Sequence, residues 1–161
     1  MFTRRKSSQA NVAMLRPKIT FGTRSIVCQE TELKGEITIG TVLHPQCKLL
    51  AEGGPIILGS DNIVEENVII LDVEGSKIGN QNIVEAKARI IGTTSIGDNC
   101  VIGTGCSTEM NETVPNNTVI YGYNHNRRMQ ANISKPQSTL HARHLDYLRE
   151  VLPKYNHLKP I

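Results

Sequence analysis

Tryptophan is absent from the 161 residues, and only 4% are aromatic, although 39% are hydrophobic. A core of that composition is built from small aliphatics, which suits a narrow interior rather than a wide sandwich or barrel. The length is one domain's worth and allows a substantial core. No C-x-x-C pair occurs among the four cysteines, Cys28, Cys47, Cys100 and Cys106. Zinc-ribbon and thioredoxin frameworks therefore lack their spacing, and the thiols read as small buried hydrophobes. No apolar run approaches the roughly 20 residues that span a bilayer, and there is no secretory h-region. The chain accordingly reads as a soluble intracellular protein, in which the sequons at Asn111, Asn116 and Asn132 mean little.

Acids are missing from the first 18 residues, which carry Arg4, Arg5, Lys6, Arg16 and Lys18. Subtracting those five from the net charge of +3 leaves −2 on the rest of the chain. A protein-wide nucleic-acid footprint is thereby excluded; only the tail is basic. Residues 1–18 read as a disordered, solvated extension. Their Arg and Ser content also fits a mitochondrial presequence, but Val12, Met14 and Leu15 make a poor amphipathic stripe.

What is present is a period of six. From Ile78 the chain falls into hexads led by Ile78, Val84, Ile90, Ile96, Ile102, Thr108, Val114 and Ile120. The fifth positions, Asn82, Ala88, Thr94, Cys100, Cys106, Glu112 and Thr118, are mostly small. Upstream the same frame covers Phe21, Val27, Leu33 and Ile39. It then slips by two residues to Leu43 and Leu49, bulges by three to Leu58, continues through Val64 and Ile70, and bulges by two to Ile78. Fixed-period self-similarity is the signature of a repeat architecture. Side chains alternate along a strand, so a six-residue face sends its lead aliphatic and one small neighbour inward and then turns a corner. Three faces close an 18-residue triangular coil, with each strand pairing in parallel one coil away. Seventeen faces amount to about 5.7 coils, or a prism about 27 Å tall at a spacing of about 4.8 Å. The corners need left-handed or tight backbone, which accounts for Asn80, Asp98 and Asn116 at third positions and Gln81, Asn99 and Asn117 at fourth.

The hexads stop after Gly122. Residues 123–137 read as a polar connecting loop of unusual length. Residues 138–161 change period: Ser138 caps a helix, Leu145, Leu148 and Leu152 with His141, His144 and Val151 form one stripe, and Pro153 ends it. A helix of about 15 residues is marginal alone and is expected to cover a face of its own prism, a partner's surface being the other possibility.

The hexads resemble the hexapeptide-repeat class, which implies an all-β, left-handed parallel β-helix of about 5–6 coils over residues 19–122, with a C-terminal α-helix. Enzymes of that class, acyltransferases and γ-carbonic-anhydrase-like proteins, carry histidines on the coils. Here the anhydrase-like Arg-Gly-Asp survives only as Lys34-Gly35-Glu36. The histidines are His44, His125, His141, His144 and His157, with none between 45 and 124. Zinc needs three or four converging ligands, and the His141/His144 pair supplies two. Only His44 stands on a coil as a possible general base, and it reads as a surface histidine at the register slip. Glu52 reads as the polar lip of a bulge. No phosphate-cradling loop or nucleophile motif appears. Catalytic, cofactor-binding and metal residues are therefore all expected to be none, with no cofactor.

The order of "ELKGEITIG", "AEGGPIILGSDNIVEENVII", "VPNNTVIYG" followed by "RRMQ", and "PQSTLHARHLDYLREVLPKYNHLK" resembles the dynactin subunit 6 family from about Ile19 to Lys159. The resemblance implies a non-enzymatic, cytoplasmic and cytoskeletal subunit that pairs with dynactin subunit 5. The pair joins dynactin subunit 4 and an actin-related protein in the pointed-end complex, which helps recruit cargo adaptors to dynein on microtubules. It implies neither nucleic-acid binding nor membrane insertion. Against the family pattern this chain is about one coil shorter between Ile70 and Lys77, two residues shorter near Gly40-Thr41, and longer at its basic start. The unpaired first and last coils of such a prism are further expected to invite association.

Overall fold

Lead residues six apart stack directly on one another around three faces. The computed structural model describes residues 17–131 and 135–160. Face A carries β1 (Lys18–Phe21), the first half of β4 (Glu36–Leu43), the first half of β6 (Ile56–Val64), β8 (Ser76–Ile78), β11 (Ser95–Ile96) and β13 (Thr113–Val114). Face B carries β2 (Ile26–Val27), the second halves of β4 and β6, β9 (Ile83–Val84), β12 (Val101–Ile102) and β14 (Thr118–Tyr121). Face C carries β3 (Glu32–Lys34), β5 (Lys48–Ala51), β7 (Ile69–Asp72) and β10 (Arg89–Ile91). All pairings between successive coils are parallel, and the coil is left-handed.

The register confirms each expected lead position. Phe21, Ile39, Leu58, Ile78, Ile96 and Val114 stack on face A. Val27, Leu43, Val64, Val84, Ile102 and Ile120 stack on face B. Leu33, Leu49, Ile70 and Ile90 stack on face C, with Thr108 above Ile90 through the Arg89–Ser107 bridge. Every lead residue except Phe21 and Leu33, both in the end coil, is buried. The slip and both bulges fall at corners, where extra residues loop outward without disturbing the stack. In the last bulge, buried Asp72 holds the turn by accepting from the N–H of Gly75 (2.7 Å) and the Ser76 hydroxyl (3.1 Å).

The corners between faces A and B show why Ile-Gly recurs. Gln81, Asn99 and Asn117 have φ of 56°, 55° and 62°, the left-handed region that Asn tolerates best after glycine. One residue earlier, Asn80 Oδ1 accepts the N–H of Ser60 (2.8 Å), Asp98 that of Asn80 (2.7 Å) and Asn116 that of Asp98 (2.7 Å). These side chains lie flat on the coil below, over Gly59, Gly79 and Gly97. A Cβ on Gly79 would sit 2.6 Å from the Gly97 carbonyl oxygen and collide with Asp98, so the close approach demands glycine. Inside the same corner, fully buried Asn62 and Asn82 satisfy backbone groups of neighbouring coils. Asn82 Nδ2 donates to Gly97 O (2.9 Å), and Asn82 Oδ1 accepts from the Cys100 N–H (2.7 Å).

The C-terminal segment departs from expectation in four ways. The expected loop over 123–137 contains a strand, β15 (Asn126–Met129), antiparallel to β14. The helix, α1 (Lys135–Tyr155), begins three residues before Ser138, with Pro136 in its first turn, where a missing N–H costs nothing. It also runs through Pro153 by two residues. In the last turn that proline removes a single bond, and Asn156 caps the end by donating its N–H to Leu152 O (2.9 Å). Beyond the helix, Leu158 bridges Cys28, the Gln29 N–H donates to His157 O (2.7 Å), and the Lys159 N–H donates to Val27 O (2.8 Å). At the start of the prism, β1 opens at Lys18, one residue before the expected boundary at 19. The expectations for residues 1–16 and for Asn132 lie outside the described residues.

Candidate functional site

The outward side chains of face B form an aliphatic ladder of Ile26, Val42, Ile63, Ile83, Val101 and Val119, aligned by strand register. Its first three rungs are covered by α1. Leu145, Leu148 and Leu152 are buried against Ile26, Val42 and Ile63, with Cys28 completing the cluster. The expected stripe is thus correct for its leucines, while His144 faces solvent. Each buried leucine contributes on the order of 1.5–3 kcal/mol, so packing of this face rather than propensity anchors the helix.

Two left-handed corner residues position the helix. Arg24 pairs with Asp146 at 2.9 Å, and Asp61 Oδ1 accepts from Arg149 Nη2 at 3.1 Å. Arg149 Nε also donates to Arg24 O (3.1 Å), and His141 Nε2 lies 2.7 Å from Asp61 O. Between these two posts in the stack is the short Ile39–Leu43 corner, two residues tighter than its neighbours. Arg149 therefore spans the coil that lacks a protruding corner. The exposed Arg24–Asp146 pair adds little energy, and the part-buried Arg149–Asp61 pair joins α1 to the corner while the leucines hold it.

The histidines do not converge. His44 is buried, not a surface residue as its corner position implied, and its Nδ1 lies 2.9 Å from Val64 O. It lies just after Leu43, where its backbone N–H also donates to Val64 O (3.0 Å), a contact that sequence alone did not reveal. His125 Nδ1 accepts the Ser107 N–H (3.2 Å), His141 faces Asp61, His144 lies against Tyr147, and His157 contributes its carbonyl to the first coil. Among the described residues no group of three or more His, Cys, Asp or Glu side chains is arranged to hold a metal. Lys34 and Glu36 form surface pairs with Glu32 (3.2 Å) and Lys18 (3.6 Å). Glu52 is exposed on the first bulge.

All four cysteines are buried and free. Burial, reinforced by Glu66 and Glu30, pushes the Cys28 thiol up to about 11. Burial pushes Cys47 to about 12, and its Sγ donates to Glu65 O (2.9 Å). Cys100 and Cys106 are also raised, chiefly by burial. Protonated, enclosed thiols are poor nucleophiles.

Two surfaces remain. The upper rungs Ile83 and Val101 floor a cleft of about 430 Å³ beside the first turns of α1, rimmed by Gln81, Asn99, Gln130 and His141. The second is the end of the prism. There Arg127 of β15 crosses the open end, donating to both Glu112 oxygens (2.6 and 2.8 Å) and to Ser107 O (3.3 Å). Glu112 is held below the usual carboxylate range, first by its hydrogen bond from Arg127. At the opposite end, residues 157–159 cover β2, so the first coil is not bare on face B as expected; β1 and β3 keep open edges among the described residues. The signals for both caps, "NRRM" and "NHLK", are too short to read as strands before their partners are known.

A triangular parallel coil of hexads with a helix docked on one face defines a hexapeptide-repeat, left-handed β-helix protein. In fold the chain is similar to a hexapeptide transferase family protein from Anaplasma phagocytophilum (TM-score 0.56), at 8% identity over 85% of this chain and 92% of that one. It is 40% identical to dynactin subunit 6 of Nematostella vectensis, over 88% of this chain and 92% of that protein. It is also 36% identical to dynactin subunit 6 of Xenopus tropicalis, over 84% of this chain and 81% of that protein. The chain belongs to the dynactin subunit 6 family. No protein-family profile matches it.

Proposed function

We propose that the chain is a non-enzymatic structural subunit of the dynactin pointed-end complex. In this reading it pairs with dynactin subunit 5, and the pair stands beside subunit 4 and the pointed-end actin-related protein. The assembly supports adaptor and cargo recruitment for dynein-driven transport on microtubules, which places the chain in the cytoplasm on the cytoskeleton. In this reading residues 18–122 are the scaffold, and the segment after them supplies the capping strand β15, the docked helix α1 and its tail. The observation that carries the reading is the 40% identity to a dynactin subunit 6 along nearly the whole length of both chains. It is supported by the engagement of His44, the only histidine on a coil strand path, in a backbone contact with Val64. Among the described residues no helix is long and apolar enough to cross a membrane.

The test is affinity capture of the native chain followed by mass spectrometry and metal analysis. Recovery of the dynactin subunits, with subunit 5 in equal amount, is expected. Stoichiometric zinc, or acyl transfer abolished by His44→Asn, would instead establish an enzyme of the hexapeptide class.

A further inference from the structure

We propose that the outer edge of β15, with Tyr121, Tyr123 and Arg128 beside it, is a docking site for an extended acidic segment of a partner protein. β15 pairs with β14 on one side, and no strand lies on its other side among the described residues. The Gln130 N–H donates to Asn117 O (2.7 Å), so by antiparallel alternation the pairs 119/128 and 121/126 also exchange hydrogen bonds. Arg127 and Met129 therefore direct their N–H and C=O groups away from β14. A row of unpaired backbone groups accepts one more strand.

The side chains around that edge say what kind of strand. Tyr123 is 98% exposed, Met129 59% and Tyr121 43%, and tyrosine and arginine are enriched where interfaces carry their energy. The two adjacent arginines differ. Arg127 is committed to Glu112 and Ser107 across the end of the core. Arg128 lies over the Tyr121 ring at 5.8 Å, and among the described residues no carboxylate pairs with it. An exposed guanidinium held on an aromatic face offers its remaining donors to a carboxylate. Positive charge without a counter-ion on an open strand edge thus selects an acidic strand. A second copy of this chain does not fit: antiparallel pairing of two β15 edges would bring Arg127 and Arg128 of both copies together. The site rests on the strand edge alone and is independent of which subunits the chain joins.

The probes are two capped hexapeptides, one alternating threonine with glutamate and the other threonine with lysine. They are titrated into the full chain while amide hydrogen exchange is followed. The glutamate peptide is expected to slow exchange at Arg127 and Met129 by about tenfold at saturation, the effect of covering an exposed edge. Raising salt weakens it, since the contact is partly electrostatic. Arg128→Glu reverses the preference, so that the lysine peptide protects the same amides, and Arg128→Gln abolishes discrimination between the two. Equal protection by both peptides, or none at either amide up to millimolar concentration, overturns the proposal. So does a concentration-dependent dimer that protects these amides without peptide. Binding of a single-stranded oligonucleotide in preference to the glutamate peptide also overturns it.

Discussion

The coils before Ile78 and those after it obey the same interior rule and treat their corners differently. After Ile78 the lead residues keep a spacing of six without interruption to Ile120, and the corner side chains Asp98 and Asn116 repeat one hydrogen bond coil after coil. Before it, one corner is shortened and two are lengthened, yet Ile39, Leu58 and Ile78 remain in register. The comparison teaches that the stack of lead residues is the constraint, and that corners vary freely because they point into solvent. It also shows a use for irregularity: the helix docks on the uneven coils, between posts at Arg24 and Asp61.

The sharpest way to break that comparison is to charge the stack. Ile102 lies fully buried between Val84 and Ile120. Ile102→Asp is expected to cost more than about 4 kcal/mol and to unfold or aggregate the domain, because it buries an unpaired carboxylate. Its corner neighbour Thr104 donates its N–H (3.1 Å) and hydroxyl (2.8 Å) to Glu85. Thr104→Asp sets a second carboxylate there and is expected to cost about 1 kcal/mol or less, being exposed. Equal thermal shifts for the two variants would contradict the register.

Second comes the inner Asn ladder. Asn82→Ala strands the buried Cys100 N–H, with an expected loss of about 2–3 kcal/mol in denaturant titration. Asn80→Ala, which opens an exposed bond to Ser60, is expected to cost about 1 kcal/mol. Third, Leu148→Ala is expected to cost about 2–3 kcal/mol and to speed exchange in α1. Exchange in β12 should stay unchanged, since the uncovered coils stack without the helix.

The smaller effects concern protons. Glu112 is depressed in the folded state, so its pairing with Arg127 stabilises fully above the unfolded carboxylate range of about 4.3 and is lost as pH falls through the lower folded value. Glu112→Gln should flatten acid unfolding in that window, and β15 should fray first in the parent chain. The thiols run the other way. Raised values leave their contribution intact below about 8.5, the free thiol range, and erode it as pH climbs towards the raised values near 11 and 12 of Cys28 and Cys47. At neutral pH the expectation is nearly no effect: native thiols should resist iodoacetamide, and all four should label once the chain is unfolded.

The spacing of lead aliphatics was enough to set the prism, its three faces, the register and the places where corners change length. It was enough because side-chain alternation and closure of a narrow interior repeat identically at every face, so the periodic signal grows along the chain. The stripe of Leu145, Leu148 and Leu152 likewise announced a covering helix. Tertiary structure alone decided the rest. "NRRM" became a strand because β14 offered it an edge, "NHLK" lies across the first coil because α1 delivers it there, and His44 is buried because its ring meets the Val64 carbonyl of the next coil. These features depend on a single partner met once, far away in sequence. A one-time contact leaves no period for the sequence to display.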